Sequence, residues 1–335
     1  MSELTQNIDS LFATKRVMII GDLVADQYLN GTIARVSREA PVFILRHDET
    51  TTLPGAAANA AANVASLGGT PILIGVVGTD SNGELLCDAL EKSAVNTDAV
   101  ISNGSFTTTT KLRVLAGQPH AVHQQVIRID YENQAEFPAA VRQRIIESIA
   151  QGGESADAII ISDYNYGVAD ESVFEAAKQL AAKRGIPIVV DSRFRLRDFA
   201  GATAATPNQE EVEQILGKGF TPDAVKQLCG QLGYRALLVT NGSKGMQVIE
   251  SNGSTCQIDA VGSLDPVDVT GAGDTVIAAF ALGLASGLDF AEAARVANHA
   301  GGLVVMKKGT ATVKASELTA SLENDPKAAA SNPNG

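Results

Sequence analysis

Five short apolar runs recur along the chain: RVMIIGD (16–22), PILIGVVG (71–78), DAIIISDY (157–164), IPIVVDS (186–192) and ALLVTNG (236–242). They are rich in Ile and Val and read as strands buried on both faces. Between them lie Ala-rich or amphipathic stretches, which predict helices over 55–67, 83–93, 138–150, 171–184, 208–216 and 222–232. Strands alternating with helices imply βαβ units, and so an α/β fold with a mostly parallel sheet and helices on both faces. Such sheets bind their ligands outside the carboxyl ends of the strands. Asp22, Asp163, Asp191, Asn208 and Asn241 all fall at those ends.

Two stretches break the alternation. Residues 28–50 and 105–130 alternate apolar with polar residues and carry Thr and turn signals, so they read as antiparallel strands or hairpins. Joined, they make a small β lid over the main cleft. The expected organisation is a single domain over 1–325, with 326–335 a disordered tail that lacks apolar periodicity.

A doubly covered sheet needs a large apolar core. The sequence is 45% hydrophobic but only 4% aromatic, with no Trp, so Ala, Val, Ile and Leu must fill it. The net charge of −12 argues against nucleic acid or an anionic membrane as the main partner, and an anionic substrate would need cations gathered in the cleft. The three cysteines, Cys87, Cys229 and Cys256, are far apart and outside any C-x-x-C pattern, which suits a reducing compartment. The N-terminal MSELTQNIDSLF contains acids and no apolar core, and no run approaches a membrane span. The expectation is a soluble cytoplasmic protein.

The sharpest local signal is DVTGAGDT, residues 268–275, followed by the apolar VIAAFALGLA. Gly271 and Gly273 bracket Ala272 in a turn that feeds a buried helix. The N–H groups of Gly271, Ala272 and Gly273 can converge on an anion there, aided by the helix dipole. Asp274 has two readings: a first-turn acid that ties down helix N–H groups, or a base that takes a substrate hydroxyl proton beside an anion hole. No G-x-x-x-x-G-K-[ST] occurs, which argues against a Walker-type nucleotide site, and GDLVAD after the first strand disfavours a dinucleotide fold.

DVTGAGDT resembles the C-terminal signature of the ribokinase-like sugar kinases, and the resemblance covers nearly the whole chain. LPGAAANAAANVASLGG (53–69) is similar to their N-terminal glycine signature, with Gly55 and Asn59 in place and Ala56 where the family usually has a second Gly. TPNQEEVEQIL (206–216) resembles the N-x-x-E element, which implies that Asn208 lies near the phosphates and that Glu211 meets magnesium through a bound water. The same spacing is also that of a helix capping box. LLVTNGSKGM (237–246) resembles the turn lining the nucleotide, with Thr240 and Gly242 nearest the phosphates. ANHAGGLVVMKKGT (297–310) resembles the helix flanking the adenine, with Asn298 a candidate. The resemblance implies a three-layer kinase fold that uses ATP and Mg²⁺, with Asp274 as general base and Asp22 on substrate hydroxyls. His47, His120, His123 and His299 show no ligand spacing.

Within that family the fragments GDLVADQY, RVSREAPV, TTTTKLRVL, QQVIRID, SDYNYG and GATAATPN resemble, in order and spacing, the D-glycero-β-D-manno-heptose 7-phosphate kinases of lipopolysaccharide-core precursor synthesis. That resemblance implies phosphorylation of the anomeric hydroxyl of a sugar that already carries a phosphate, and so a cationic pocket. Lys111, Arg113 and Arg128 in one lid segment and Arg35 and Arg38 in the other are candidates, since Arg forks suit phosphate. SRFRLRDF (192–199) stands where these kinases continue with Pro-Lys, so Arg193 or Arg195 could replace the lysine. The chain shows no H-x-G-H signature of bifunctional relatives, which leads to the expectation of a stand-alone kinase. Lid strands with open edges lead to the expectation of a homodimer. A kinase for another sugar or a nucleoside, and a catalytically silent sugar-binding or regulatory protein, are the alternatives.

Overall fold

In the computed structural model, residues 8–118, 121, 123–132, 137–263 and 265–325 are described; the expected tail lies outside them. Helix α1 (Ile8–Ala13) leads into strand β1 (Arg16–Gly21), followed by two long strands, β2 (Leu23–Val36) and β3 (Phe43–Ala56). Next come α2 (Ala57–Ser66), β4 (Thr70–Gly78), α3 (Ser81–Lys92), β5 (Val100–Asn103), β6 (Thr110–Gly117) and β7 (Gln124–Tyr131). The middle of the chain forms α4 (Ala139–Gly153), β8 (Ala158–Asp163), α5 (Glu171–Arg184), β9 (Ile188–Ser192), β10 (Ala204–Ala205), α6 (Gln209–Leu216) and α7 (Pro222–Leu232). The remainder is β11 (Ala236–Thr240), β12 (Met246–Glu250), β13 (Thr255–Ile258), α8 (Ala272–Ala285), α9 (Phe290–Val304) and α10 (Ala315–Glu323).

Among the described residues the main sheet has nine strands in the order β13-β12-β11-β10-β9-β8-β1-β4-β5. All its pairings are parallel except those of β12 with β11 and with β13. Alternation along β1 shows how the sheet is clothed on both sides. Val17 and Ile19 enter one core with α2, α8 and α9, while Met18 and Ile20 enter the other with α4, α5 and α7. The three layers and mostly parallel sheet are those expected from the apolar runs.

The lid is a separate sheet in the order β3-β2-β6-β7. Its hairpin pairings are antiparallel as expected, but β2 joins β6 in parallel. It is also larger than the alternation suggested. β2 begins at Leu23, immediately after β1, and β3 runs to Ala56, so Gly55 and Ala56 end a strand and α2 starts only at Ala57. Residues 23–27 of β2 are buried, so this part of the lid strand lacks the apolar–polar alternation by which residues 28–50 read as lid.

Candidate active site

The turn before α8 is left-handed at Gly271, with φ 76°. A side chain there is excluded twice, because a Cβ would also lie 2.5 Å from Nδ2 of Asn59. α2 and α8 therefore begin side by side, and Asn59 bridges them: its Nδ2 donates to Oδ2 of Asp274 (2.8 Å) and to the Gly271 carbonyl (3.3 Å). Asn63 continues the seam, donating to Asn59 and accepting from the Thr275 hydroxyl at 3.0 Å.

Asp274 is 2% exposed. Its second oxygen, Oδ1, accepts from the Tyr164 hydroxyl at 2.8 Å, so side chains of two other elements engage the carboxylate. Burial pushes its pKa up to about 6, against the two donated hydrogen bonds. Of the N–H groups expected to form the anion hole, that of Ala272 is turned onto the Val269 carbonyl (3.2 Å), which removes it from the cradle. Asp268 holds the approach to this turn, accepting from the N–H groups of Thr270 and Gly309, both at 2.9 Å.

Asp22 corrects an expectation. It is 1% exposed, and its carboxylate accepts from the N–H groups of Tyr164 (2.8 Å), Tyr166 (3.0 Å) and Val168 (3.1 Å). That geometry anchors the loop after β8 and does not present an open acceptor to a polyol. The lid acid at the cleft is Asp26, which the sequence reading passed over. Gly55 makes room for it, since a Cβ there would lie 2.5 Å from Asp26 Oδ2.

Asp26 forms a buried ion pair with Arg113, Nη1 to Oδ1 at 2.5 Å. Register sets the rest of that lid face: Asp26, Lys111 and Asp130 stand on one rung, and Tyr28, Arg113 and Arg128 on another of the same face. Lys111, Arg113 and Arg128 are thus brought together. Arg113 lies over the Tyr28 ring (5.3 Å to its centroid) and Arg128 pairs with Asp130 (2.9 Å). Lys111 lies over Tyr164 and Tyr166, at 5.4 and 5.8 Å, which turns this face toward the loop after β8. Arg35 and Arg38 are instead exposed toward the far end of the lid.

The departure at 192–199 separates its two arginines. Arg195 is locked onto Asp163 (Nη2 to Oδ1, 2.6 Å) and the Ala169 carbonyl (2.9 Å). Arg193 reaches into the cleft, 4.8 Å from the centroid of the Tyr164 ring. Burial and then the charge of Arg193 hold the Lys111 ammonium below its ordinary pKa, against the nearby Asp26 and Asp130, and the two cations lie over the one Tyr164 ring. Beside them, burial and then the charges of Asp274 and Glu211 push Asp191 well above the usual carboxylate range.

Asn208 and Glu211 make the capping box in full: Asn208 Oδ1 accepts from the Glu211 N–H (2.9 Å), and Glu211 Oε2 accepts from the Asn208 N–H (2.8 Å). Burial raises the Glu211 pKa. A cavity of about 200 Å³ next to the Gly271 turn is lined by Thr240, Gly242 and Asn298 together with Ala272, Gly273 and Val305. Asn208 is not among its lining residues, although it bridges Thr240 in the backbone. The Asn298 amide donates to the Asp259 carbonyl at 2.9 Å. Tyr164 and Asp26 also face this cleft, and no motif singled them out; Arg193 is the arginine of the 192–199 stretch that reaches it. The signal available for Asp191 and Tyr164 was their position at the carboxyl ends of strands.

A three-layer parallel fold with a β lid facing a buried acid at a helix start defines a phosphoryl-transfer enzyme of the sugar kinase class. The profile of the pfkB family carbohydrate kinases matches residues 14–317, and the chain belongs to that family. It is an ATP-dependent sugar kinase. The chain is 36% identical over 318 residues to the bifunctional protein HldE of Gluconobacter oxydans (strain 621H), covering 93% of this chain and 65% of that protein. It is 39% identical to the bifunctional protein HldE of Coxiella burnetii (strain RSA 331 / Henzerling II), covering 93% and 65%. The chain thus spans about two thirds of the length of these relatives. Its fold is shared with Arabidopsis thaliana ribokinase complexed with ribose and ATP (TM-score 0.68, 22% identity, 92% of this chain and 98% of that one). It is shared too with phosphofructokinase-2 of Escherichia coli in complex with substrates and products (TM-score 0.74, 19% identity, 91% and 97%).

Proposed function

We propose that this chain transfers the γ-phosphoryl group of ATP to the anomeric hydroxyl of a heptose 7-phosphate, supplying a precursor of the lipopolysaccharide core. Residues 1–325 act as one catalytic domain with the second sheet as its lid. The observation that carries the reading is the pairing of a buried acid at the start of α8 with a lid face that gathers three cations. The similarity to HldE proteins supports the choice of sugar.

In this reading Asp274 takes the proton of the acceptor hydroxyl, and that oxygen attacks the γ-phosphorus as the bond to ADP breaks. Gly271 and Gly273 donate N–H groups to the transferring phosphoryl group at the positive end of α8. The nucleotide occupies the cavity lined by Thr240, Gly242 and Asn298. The substrate phosphate sits against Lys111 and Arg193, with Arg113 and Arg128 behind. Asn59 and Gly55 shape the sugar pocket by fixing Asp274 and Asp26.

Magnesium fits the donor chemistry of the cleft mouth. The capping box uses Oε2 of Glu211 and leaves Oε1 for a metal-bound water, and the neighbouring groups are carboxylates. Mg²⁺ keeps waters and phosphate oxygens as ligands and needs no protein cage; among the described residues there is none. When bound, it would neutralise charge on the ATP phosphates. The three cysteines are unpaired and suit a cytoplasmic setting. Among the described residues no helix is long and apolar enough to cross a membrane. A second copy of the chain covers the outer lid face.

The test is turnover on a panel of sugars with and without a terminal phosphate. Preference for heptose 7-phosphate is the expected result, and a clear preference for an unphosphorylated sugar or a nucleoside would end the substrate assignment. Asp274→Asn should lose about 10²–10⁴-fold in kcat with ATP affinity intact.

A further inference from the structure

We propose that Tyr164 is a positioning residue for the base, holding Asp274 in the orientation from which it accepts the substrate proton. The proposal rests on the reading of Asp274 as that base. Tyr164 is fixed at three points by three parts of the molecule. Its N–H is held by Asp22 at the end of β1 (2.8 Å), and the same carboxylate accepts from the N–H groups of Tyr166 and Val168 further along the loop. Its ring is covered by the Arg193 guanidinium at 4.8 Å and the Lys111 ammonium at 5.4 Å. Its hydroxyl donates to Oδ1 of Asp274 at 2.8 Å.

Asn59 donates to the other oxygen from the opposite side, also at 2.8 Å. One donor alone would leave the carboxylate free to turn about its Cβ–Cγ bond. Two donors on two oxygens, from the loop after β8 and from α2, fix its plane. Each oxygen has a further lone pair, so the clamp does not occupy the position a substrate hydroxyl would use. Tyr164 is also suited to be a permanent donor, because burial and the Asp274 charge keep its phenol well above its ordinary pKa.

The clamp also favours the anionic form of the base. The charged and titratable groups facing Asp274 are Asp26 on β2, Tyr164 after β8, Asp191 on β9 and Arg193 just beyond it; Glu211 on α6 faces Asp191. Asp26 and Asp191 oppose ionisation, and Arg193 and the two hydrogen bonds favour it. Removing the phenolic O–H therefore leaves the acids less opposed.

Tyr164→Phe tests this, because the ring under Lys111 and Arg193 is retained while the hydroxyl that donates to Asp274, and that Arg193 also meets, is lost. Steady-state kinetics from pH 5 to 9 should show kcat at pH 7 reduced about tenfold, with KM for ATP within about twofold of the parent. The acid limb of the kcat profile should move up by about one pH unit. Unchanged kcat, or a reduced kcat with the limb unmoved, overturns the role of Tyr164. Asp274→Asn run alongside separates the two claims. If that variant turns over near the parental rate, the base assignment itself falls, and the role of Tyr164 with it; if it is inactive while Tyr164→Phe is normal, only the positioning role falls.

Discussion

Asn59 on α2 and Asp274 on α8 lie 215 residues apart in sequence and share a buried hydrogen bond of 2.8 Å. The bond ties the strand-to-helix turn of the glycine signature to the turn of DVTGAGDT, so two motifs far apart in the chain form one structure. Asn59→Ala removes donors from Asp274 and from the Gly271 carbonyl and an acceptor from Asn63. Groups left unpaired in a buried site cost about 1–3 kcal/mol. Urea unfolding should show a loss of that size, and kcat should fall at least tenfold. Full activity in Asn59→Ala would mean that the seam does not set the geometry of Asp274.

Activity and stability should respond oppositely to pH around Asp274. Its folded pKa is raised from its ordinary 3.8 to about 6 by burial, so folding favours its protonated form. The stabilisation is fully present below pH 3.8 and is lost as pH rises through about 6, a swing of about 3 kcal/mol. The base works only when ionised, so turnover should rise as pH passes through about 6, where the loss of stability is ending. Asp22, also raised to about 6 by burial, adds to the stability trend, whereas Asp80 and Asp268, held low by donated hydrogen bonds, act in the opposite sense at lower pH. Asp274→Asn isolates one contribution. Its stability relative to the parent should improve by about 2–3 kcal/mol between pH 4 and 7 in urea titrations. A difference independent of pH would show that the carboxylate is not the titrating group.

The sheet was legible because strands buried on both faces leave continuous apolar runs, and the start of α8 was legible because its glycines and acid are contiguous. The lid was underestimated where its strands enter the main body: residues 23–27 are buried and lose their alternation. The site was legible only where its residues share a local motif. Asp22 and Asp163 stand at strand ends as expected, yet both are spent within the fold, on loop N–H groups and on Arg195. Strand position fixes where a carboxylate begins and not what meets it. Tyr164 and Asp26 carry no periodic or spacing signal, because their partners come from elements distant in sequence, and the 192–199 stretch offered Arg193 and Arg195 alike without showing which one Asp163 would hold. The Asn208–Glu211 spacing served two readings, and the capping box is the one the geometry displays.

Ala56 has φ 56° and ψ −129°, a backbone conformation that favours glycine, and it sits at the turn from β3 into α2. The family's usual glycine at this position is explained by that conformation. Residues held in such regions store about 1–3 kcal/mol of strain. Ala56→Gly relieves it while giving back some unfolded-state entropy, so the expected net gain is about 1 kcal/mol. Chemical denaturation should show the higher midpoint with an unchanged slope. A lower midpoint would mean that the Ala56 methyl contributes more through packing than its backbone loses.

The two faces of the lid differ in character, and that difference bears on assembly. Ile127 and Ile129 on β7 alternate with Arg128 and stand opposite Val114 and Leu112, so they face away from the cleft. They are 53% and 39% exposed, β7 is an edge strand, and Val36, Val42 and Phe43 are exposed near the far end of the lid. An apolar sheet face with an open edge favours pairing with another chain. In the proposed homodimer this face is covered by its copy, and sedimentation at micromolar concentration should give twice the chain mass. Ile127→Lys places a charge in the middle of the covered face and should shift the protein toward monomer. Because Lys111 and Arg113 lie on the same sheet, the loosened lid should raise KM for the sugar phosphate more than KM for ATP. A parental protein that sediments as a monomer would remove the assembly, and a dimer unaffected by Ile127→Lys would move it to another surface.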